Sequence, residues 1–243
     1  MTLFFIILST VLVSLVSFVG AVTLSLNENT LRKILFYLIA LSIGASMGAA
    51  FFDLIPEAVE KSEKALVYIL VGFFCFLLIE KFLHWRHCHK EHCQEHSFAY
   101  MNLYGDGLHN FLDGIILASS FMANIGLGIA ATIAIVLHEI PQEISDFGVL
   151  IYGGFKKSKA LFFNFISALT AVAGGIIGFY LLGVAESLSP FLIAFAAGGF
   201  IYIAASDLLP EVRKENNVKK TIINFAVILL GIILMYLVGL LEV

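Results

Sequence analysis

Residues 126–152 read GLGIAATIAIVLHEIPQEISDFGVLIY, an apolar run that carries His138, Glu139, Gln142, Glu143 and Asp146 in its interior. About 20 mainly apolar residues suffice to cross a bilayer as a helix. A continuous run of this kind is not a barrel strand, because lipid-facing strands alternate over about 10 residues. Further apolar runs lie at about 1–26, 34–56, 65–83, 98–122, 160–182, 190–211 and 220–241. The expectation is an all-α integral membrane protein with eight transmembrane helices in a single domain over residues 1–243. The first run lacks the basic start of a signal peptide and is too long for its apolar segment, so it reads as a span.

Composition agrees. The chain has 243 residues, 60% hydrophobic and 13% charged, against about 25% charged in ordinary soluble domains. A soluble enzyme and a disordered tail are excluded. The net charge is -4 and the basic residues are scattered in short groups, which excludes nucleic-acid binding.

Alternate connections differ sharply in Lys and Arg. One set holds twelve of them, at Arg32, Lys33, Lys81, Arg86, Lys90, Lys156, Lys157, Lys159, Arg213, Lys214, Lys219 and Lys220; the other holds only Lys61 and Lys64. The positive-inside rule then places both termini outside the cytosol and the loop 84–97 inside. The expected location is the cell (inner) membrane, with multiple passes. Cys75 lies in an apolar run, and Cys88 and Cys93 share the loop, an odd count without a disulfide framework that suits a reduced, cytosol-facing loop. That loop also carries His84, His87, His89, His92 and His96. Its spacing matches no folded zinc finger, so it reads as a flexible collector or sensor of metal, against the alternative of a solvated linker.

Ionisable residues within spans are costly and point to function. The fourth run carries Asp106, His109, Asn110 and Asp113, and the fifth carries His138, Glu139, Gln142, Glu143 and Asp146. Spacings of three and four put His109, Asn110 and Asp113 on one helix face, and likewise His138, Glu139 and Gln142. Two such faces opposed near the midplane would converge on a divalent cation. Imidazole with carboxylate suits zinc and other first-row metals, whereas calcium and magnesium favour oxygen alone. Pro141 removes a backbone bond beside these residues and frees the Leu137 carbonyl. A polar seam holding two helices together is the plainer alternative, and it needs fewer groups than are present. Gly44, Gly48, Gly114, Gly174 and Gly178 read as sites of close helix approach.

The order His-Glu-x-x-His marks helical zinc proteases. Here Gln142 stands in the last position, which argues against an intramembrane metalloprotease. Asp53-Leu54-Ile55-Pro56-Glu57 and Asp207-Leu208-Leu209-Pro210-Glu211 echo one another in spans of opposite direction. An inverted-topology repeat would look like this, although Pro-Glu at a helix end is also common punctuation.

The stretches His109-Asn110-Phe111-Leu112-Asp113-Gly114 and His138-Glu139-Ile140-Pro141-Gln142-Glu143-Ile144-Ser145-Asp146 resemble the motifs of the ZIP (ZRT/IRT-like) divalent-metal transporters, as do the eight-span layout and the His-rich loop. The prokaryotic-type pattern with Gln142 replaces the His-Glu pair usual in the subgroup. The resemblance implies a carrier rather than an enzyme, bringing zinc or a related cation such as iron, manganese or cadmium into the cytosol. It assigns His109, Asn110, Asp113, His138, Glu139 and Gln142 as metal ligands. Gln142, a neutral oxygen donor, puts tight zinc preference and a two-metal centre in question. No catalytic cofactor is implied, the metal being the cargo. The resemblance also suggests a 3+2+3 helix arrangement and an elevator-like movement of the first, fourth, fifth and sixth helices.

Around that centre, Asp53, Glu57, Glu60 and Glu63 form an acidic mouth that would concentrate cations. Met47 lies two turns deeper, where gap-filling competes with a role for its thioether. Asp106, Glu143 and Asp146 read as secondary metal or pathway residues, and Asp207 and Glu211 as inner-end receivers. Protons should compete with metal at the two His as pH falls below about 6.5. A metal/proton exporter is the alternative that flux direction would separate. Partners are the metal ion and the bilayer, with a second copy of the chain as a candidate.

Overall fold

In a computed structural model of the chain, residues 1–25, 28–87 and 96–240 are described, and every regular element among them is helical. Eight long helices follow in order. Helix α1 runs over Thr2–Leu15 and tightens into a 3-10 segment, Val16–Ser25. Helix α2 covers Glu28–Ala49, passes through a π turn at Ala50–Leu54 and continues as Ile55–Lys61. Helices α3, α4 and α5 are Ala65–His87, Ser97–Ala123 and Ile125–Tyr152. Helix α6 comprises Lys157–Ala168 and Thr170–Tyr180. Helix α7 covers Leu182–Tyr202, a π turn at Ile203–Leu208 and Leu209–Arg213, and α8 is Val218–Gly239.

Seven of the eight are long and apolar enough to cross a membrane. The eighth, α4, has 27 residues, about 40 Å at 1.5 Å per residue, and falls short only in composition. Its polar residues Asn102, Asp106, His109, Asn110 and Asp113 are all buried. Polarity on α4 therefore faces protein, while Leu66, Leu70, Phe74 and Leu78 on α3 and Ile222, Phe225 and Ile233 on α8 stay exposed, as lipid-facing side chains do. The spans of α2 and α7 are 61% buried and those of α3 and α8 only 17%, which makes the first pair central and the second peripheral.

Helix α7 begins at Leu182, eight residues before Pro190, where the apolar run was expected to begin. A helix-interior proline deletes one hydrogen bond. Ala185, Ser189 and Ile193, spaced by four and all buried, carry the helix through it on one packed face. Helix α5 is likewise continuous through Pro141.

The two echoed sequence segments adopt the same local structure. Each ends its helix in a π turn, and Pro56 or Pro210 opens the short helix that follows. The missing proline N–H suits a first helical turn. The π turn of α2 packs on the first segment of α7, and that of α7 on the first segment of α2. Such reciprocal contact requires the two helices to run antiparallel.

Glycines set the tightest contacts. A Cβ on Gly114 would overlap the Ala171 carbonyl, and one on Gly174 the Phe111 carbonyl, so α4 and α6 touch backbone to backbone. Gly44 does the same for α2 against α8, and Gly72 and Gly198 for α3 against α7. Small residues at membrane interfaces allow this approach, where dispersion replaces the hydrophobic drive. Ser167 Oγ and Thr170 Oγ1 of α6 add hydrogen bonds to the Leu103 and Gly107 carbonyls of α4, at 3.0 and 2.6 Å.

Candidate metal centre

A one-residue reversal at Asn124 folds α5 back along α4, and its side chain caps α5 by accepting from the Leu127 amide at 2.8 Å. The hairpin sets the two polar faces against each other. His109, Asp113, His138 and Glu139 are brought together so that one ligand atom from each lies within 4.8 Å of the others. His138 Nε2 is 3.4 Å from Asp113 Oδ2 and 3.8 Å from Glu139 Oε1. His109 Nε2 is 3.7 Å from Asp113 Oδ2 and 3.6 Å from Glu139 Oε1. A tetrahedron with zinc bonds of about 2.0–2.1 Å has edges of about 3.3–3.4 Å. The four separations of 3.4–3.8 Å run from level with that edge to a few tenths of an ångström above it, and the other two pairs lie within 4.8 Å, so an inward closure of the cluster would suit a first-row cation.

Burial is nearly complete, with relative exposures of 1% for His109, 3% for Asp113, 4% for His138 and 0% for Glu139. Both Glu139 oxygens lack a hydrogen-bond partner among the described residues, as do Asn110 Oδ1 and Gln142 Oε1. Buried oxygens without donors are costly unless a cation or proton satisfies them. Asn110 is held beside the cluster by donating from Nδ2 to Asp106 Oδ1 at 2.9 Å and to the Asp106 carbonyl at 3.2 Å. Gln142 is buried one turn beyond His138 on α5.

A cleft of about 510 Å³ is lined both by Asp53, Glu57 and Glu60 of the acidic stretch and by Asp113 and His138 of this centre. Asp53 and Glu57 thus share a lining with the centre, although Glu57 also pairs with Lys61 at 2.5 Å. Met47 is outside that lining and packs against the apolar cluster of Ile39, Ile43 and Tyr202. Asp106 and Glu143 meet Glu139 in a second group of carboxylates. Asp146 lies 3.4 Å from Ser42 Oγ, which links α5 to α2. Asp207, in the π turn of α7, is buried with Oδ2 unpartnered, and Glu211 accepts from Tyr152 Oη at 2.9 Å and from Lys214 Nζ at 2.6 Å.

Two polar residues without a sequence signal also matter. Asn164 of α6 donates to Glu143 Oε2. Glu80 of α3 accepts from Ser97 Oγ at 3.0 Å and from Tyr202 Oη at 2.5 Å. A lone Asn or Glu in an apolar run reveals a partner only once the helices meet. His96 is exposed and stacks on Phe98, with ring centroids 5.4 Å apart. The side chains of His84, His87, Cys88, His89, His92 and Cys93 lie outside the described residues.

Imidazole and carboxylate groups that converge between two helices of a multi-helix membrane domain define a class, the polytopic membrane domains with a buried candidate metal centre. The chain belongs to the ZIP family: the profile described as ZIP Zinc transporter matches residues 84–239, well over half of its length. Zinc transporter zipt-7.2 of Caenorhabditis elegans is 39% identical over 149 residues, 59% of this chain and 32% of the relative. IAA-alanine resistance protein 1 of Arabidopsis thaliana is 45% identical over 139 residues, 56% of this chain and 29% of the relative. Zinc transporter ZIP10 of Danio rerio is 41% identical over 115 residues, 47% of this chain and 14% of the relative. The chain thus spans a third or less of the length of these relatives.

Proposed function

We propose that the chain carries divalent metal ions, zinc first among them, across a membrane into the cytosol through the centre between α4 and α5. The carrying observation is the meeting of His109, Asp113, His138 and Glu139, with ligand atoms within 4.8 Å in a fully buried setting. Asn110 and Gln142 complete the ligand set from the same two faces. Membership of the ZIP family and the zinc transporters among its relatives support zinc as cargo.

In this reading α4 is the eighth crossing. Helices α1–α3 and α6–α8 flank α4 and α5 as two inverted triplets, which the matching π turns of α2 and α7 and their reciprocal packing support. Both termini lie outside and the segment 84–97 lies inside as a metal collector, an orientation that the excess of Lys and Arg in alternate connections supports. Cations gather at Asp53 and Glu57, descend the cleft to Asp113 and His138, and leave past Glu143 and Asp146 towards Asp207 and Glu211. Binding requires neutral imidazoles and ionised carboxylates, so acid weakens it.

Uptake of zinc, then iron, manganese and cadmium, into proteoliposomes tests the reading. Saturable uptake by the intact chain and its loss in His109→Ala is the expected result. Uptake that is absent, or unchanged in His109→Ala, refutes it.

A further inference from the structure

The hairpin of α4 and α5 is closed at both ends. At one end Asn124 turns the chain, and at the other the His96 amide donates to the Gly153 carbonyl at 2.9 Å. The two helices are thus tied into one piece, and what joins that piece to α2, α3 and α7 decides whether it can move. At the end away from Asn124 the polar links are few and come from side chains. Ser97 Oγ, at the start of α4, donates to Glu80 Oε1 of α3 at 3.0 Å, and Glu80 Oε2 accepts from Tyr202 Oη of α7 at 2.5 Å. Tyr152 Oη, at the end of α5, donates to Glu211 Oε2 beyond the π turn of α7 at 2.9 Å. Ser42 Oγ of α2 lies 3.4 Å from Asp146 Oδ1 of α5.

Rings and one glycine fill the same level. The Tyr152 ring meets Phe36 of α2 edge-on and Phe98 of α4 at a tilt, with centroids 6.1 Å apart in both pairs. Leu38 of α2 comes within 2.5 Å of where a Cβ on Gly148 would stand. Along α4 and α5, Asn102, Asp106, Glu143 and Asp146 lie between the metal centre and this layer, with relative exposures of 4%, 2%, 0% and 6%. Asp113 and His138 instead line the cleft that holds the acidic residues. The centre therefore has a cavity on one side and a packed, hydrogen-bonded layer on the other. The layer differs in kind from the contact of α4 with α6, where backbones touch at Gly114 and Gly174. Hydroxyl–carboxylate bonds can be exchanged for bonds to water at small net cost.

We propose that Glu80 and Tyr152 latch the α4–α5 hairpin to α3 and α7, seal the inner end of the metal path, and let go when cargo leaves. The inference rests on the transport reading of the centre and names the residues that hold its path shut on one side. Ser97, Tyr202, Glu80 and Tyr152 are outside the metal-ligand set, so breaking the latch changes access to the path and leaves metal affinity alone. Tyr152→Phe keeps the ring against Phe36 and Phe98 and removes only the bond to Glu211.

The test uses the full chain in detergent with Cys75→Ala, Cys88→Ser and Cys93→Ser, and Ser42→Cys as the probe. Ser42 is fully buried beside Asp146, and parting of α5 from α2 exposes it. Labelling by a charged methanethiosulfonate reagent, timed by mass spectrometry, is slow in this parent. Adding Ser97→Ala/Tyr152→Phe should speed it at least about tenfold, since two net hydrogen bonds shift an equilibrium by that order. Ser14→Cys, buried between α1 and α6, should stay protected in the same background, which separates opening at the latch from general loosening. Labelling of Ser42→Cys that is unchanged, or that rises together with Ser14→Cys, overturns the proposal. Should the double variant fail to fold, Tyr152→Phe alone is expected to speed labelling about two- to tenfold. Glu80→Ala should act like the double variant, whereas Glu80→Gln, which still accepts from one hydroxyl and donates to the other, should stay near the parent. Zinc affinity by calorimetry separates the failures. Zinc binding lost only in His109→Ala, with labelling indifferent to the latch variants, rejects the latch alone; latch-dependent labelling in a chain whose zinc binding ignores His109→Ala rejects the transport reading alone.

Discussion

The two faces of α4 are built on opposite principles. Towards α6 the helix presents Gly114 and receives Gly174, and the backbones lie so close that a single Cβ on either would overlap a carbonyl. Towards α5 it presents Asp106, His109, Asn110 and Asp113 to His138, Glu139 and Glu143. The first face is dense, and the Ser167 and Thr170 hydroxyls that cross it find carbonyl partners on α4; the second leaves buried oxygens unpartnered. Close packing is a fixed property of the chain, whereas the charged face reaches its lowest energy only with a cation or protons in it. A carrier needs both: a contact that keeps its shape and one whose stability depends on cargo.

The comparison can be broken first on the rigid face. Gly174→Leu drives a side chain into the Phe111 carbonyl; overpacking costs about 1–3 kcal/mol or more, and backbone has the least room to yield. Loss of monodisperse, folded protein in size-exclusion chromatography is expected, with or without zinc. On the charged face His109→Ala leaves the glycine contact untouched. Zinc affinity should fall at least about 100-fold, since losing even an outer partner of a metal ligand costs about 10–100-fold. Calorimetric titration measures that fall, and thermal unfolding of the metal-free protein should change little.

A smaller and opposite effect sharpens the contrast. Gln142→His exchanges a neutral oxygen donor for imidazole one turn from His138, and tighter zinc binding by about tenfold, with greater discrimination against manganese, is expected from donor softness. Competition between the two metals in the same titration reads it. The smallest effect lies away from both faces. Asn217 caps α8 by accepting from the Lys220 amide at 3.2 Å, and Glu215 pairs with Lys220 beside it. The Asn217 amide and Lys220 hold the Glu215 carboxyl below the usual carboxylate range. Asn217→Ala should cost about 1 kcal/mol in unfolding free energy, typical of a lost cap, and leave zinc uptake unchanged.

Much of the helical layout was legible because burying backbone polar groups in lipid leaves few solutions. Each of the eight apolar runs is helical, and their ends shift by a few residues at most sites. The start of α7 moved furthest, because Pro190 reads as a boundary until Ala185, Ser189 and Ile193 are seen packed on one face. His109, Asp113, His138 and Glu139 stood out as expensive residues in apolar runs, and spacing alone put them on two faces. Asn164 and Glu80 stayed hidden, since a single polar residue carries no period and its meaning depends on a partner far along the chain. The π turns were invisible for a related reason. Asp53-Leu54-Ile55-Pro56 and Asp207-Leu208-Leu209-Pro210 announced their kinship, but an added residue in a turn leaves no mark on hydropathy.

The central claim is that the cargo binds between α4 and α5. Anomalous X-ray diffraction at the zinc edge, on zinc-soaked crystals of the full chain, locates the metal without reference to transport rates. The account predicts a peak enclosed by His109, Asp113, His138 and Glu139 that disappears in His109→Ala. Zinc found only elsewhere on the molecule, with no density among these four residues at saturating metal, would contradict it.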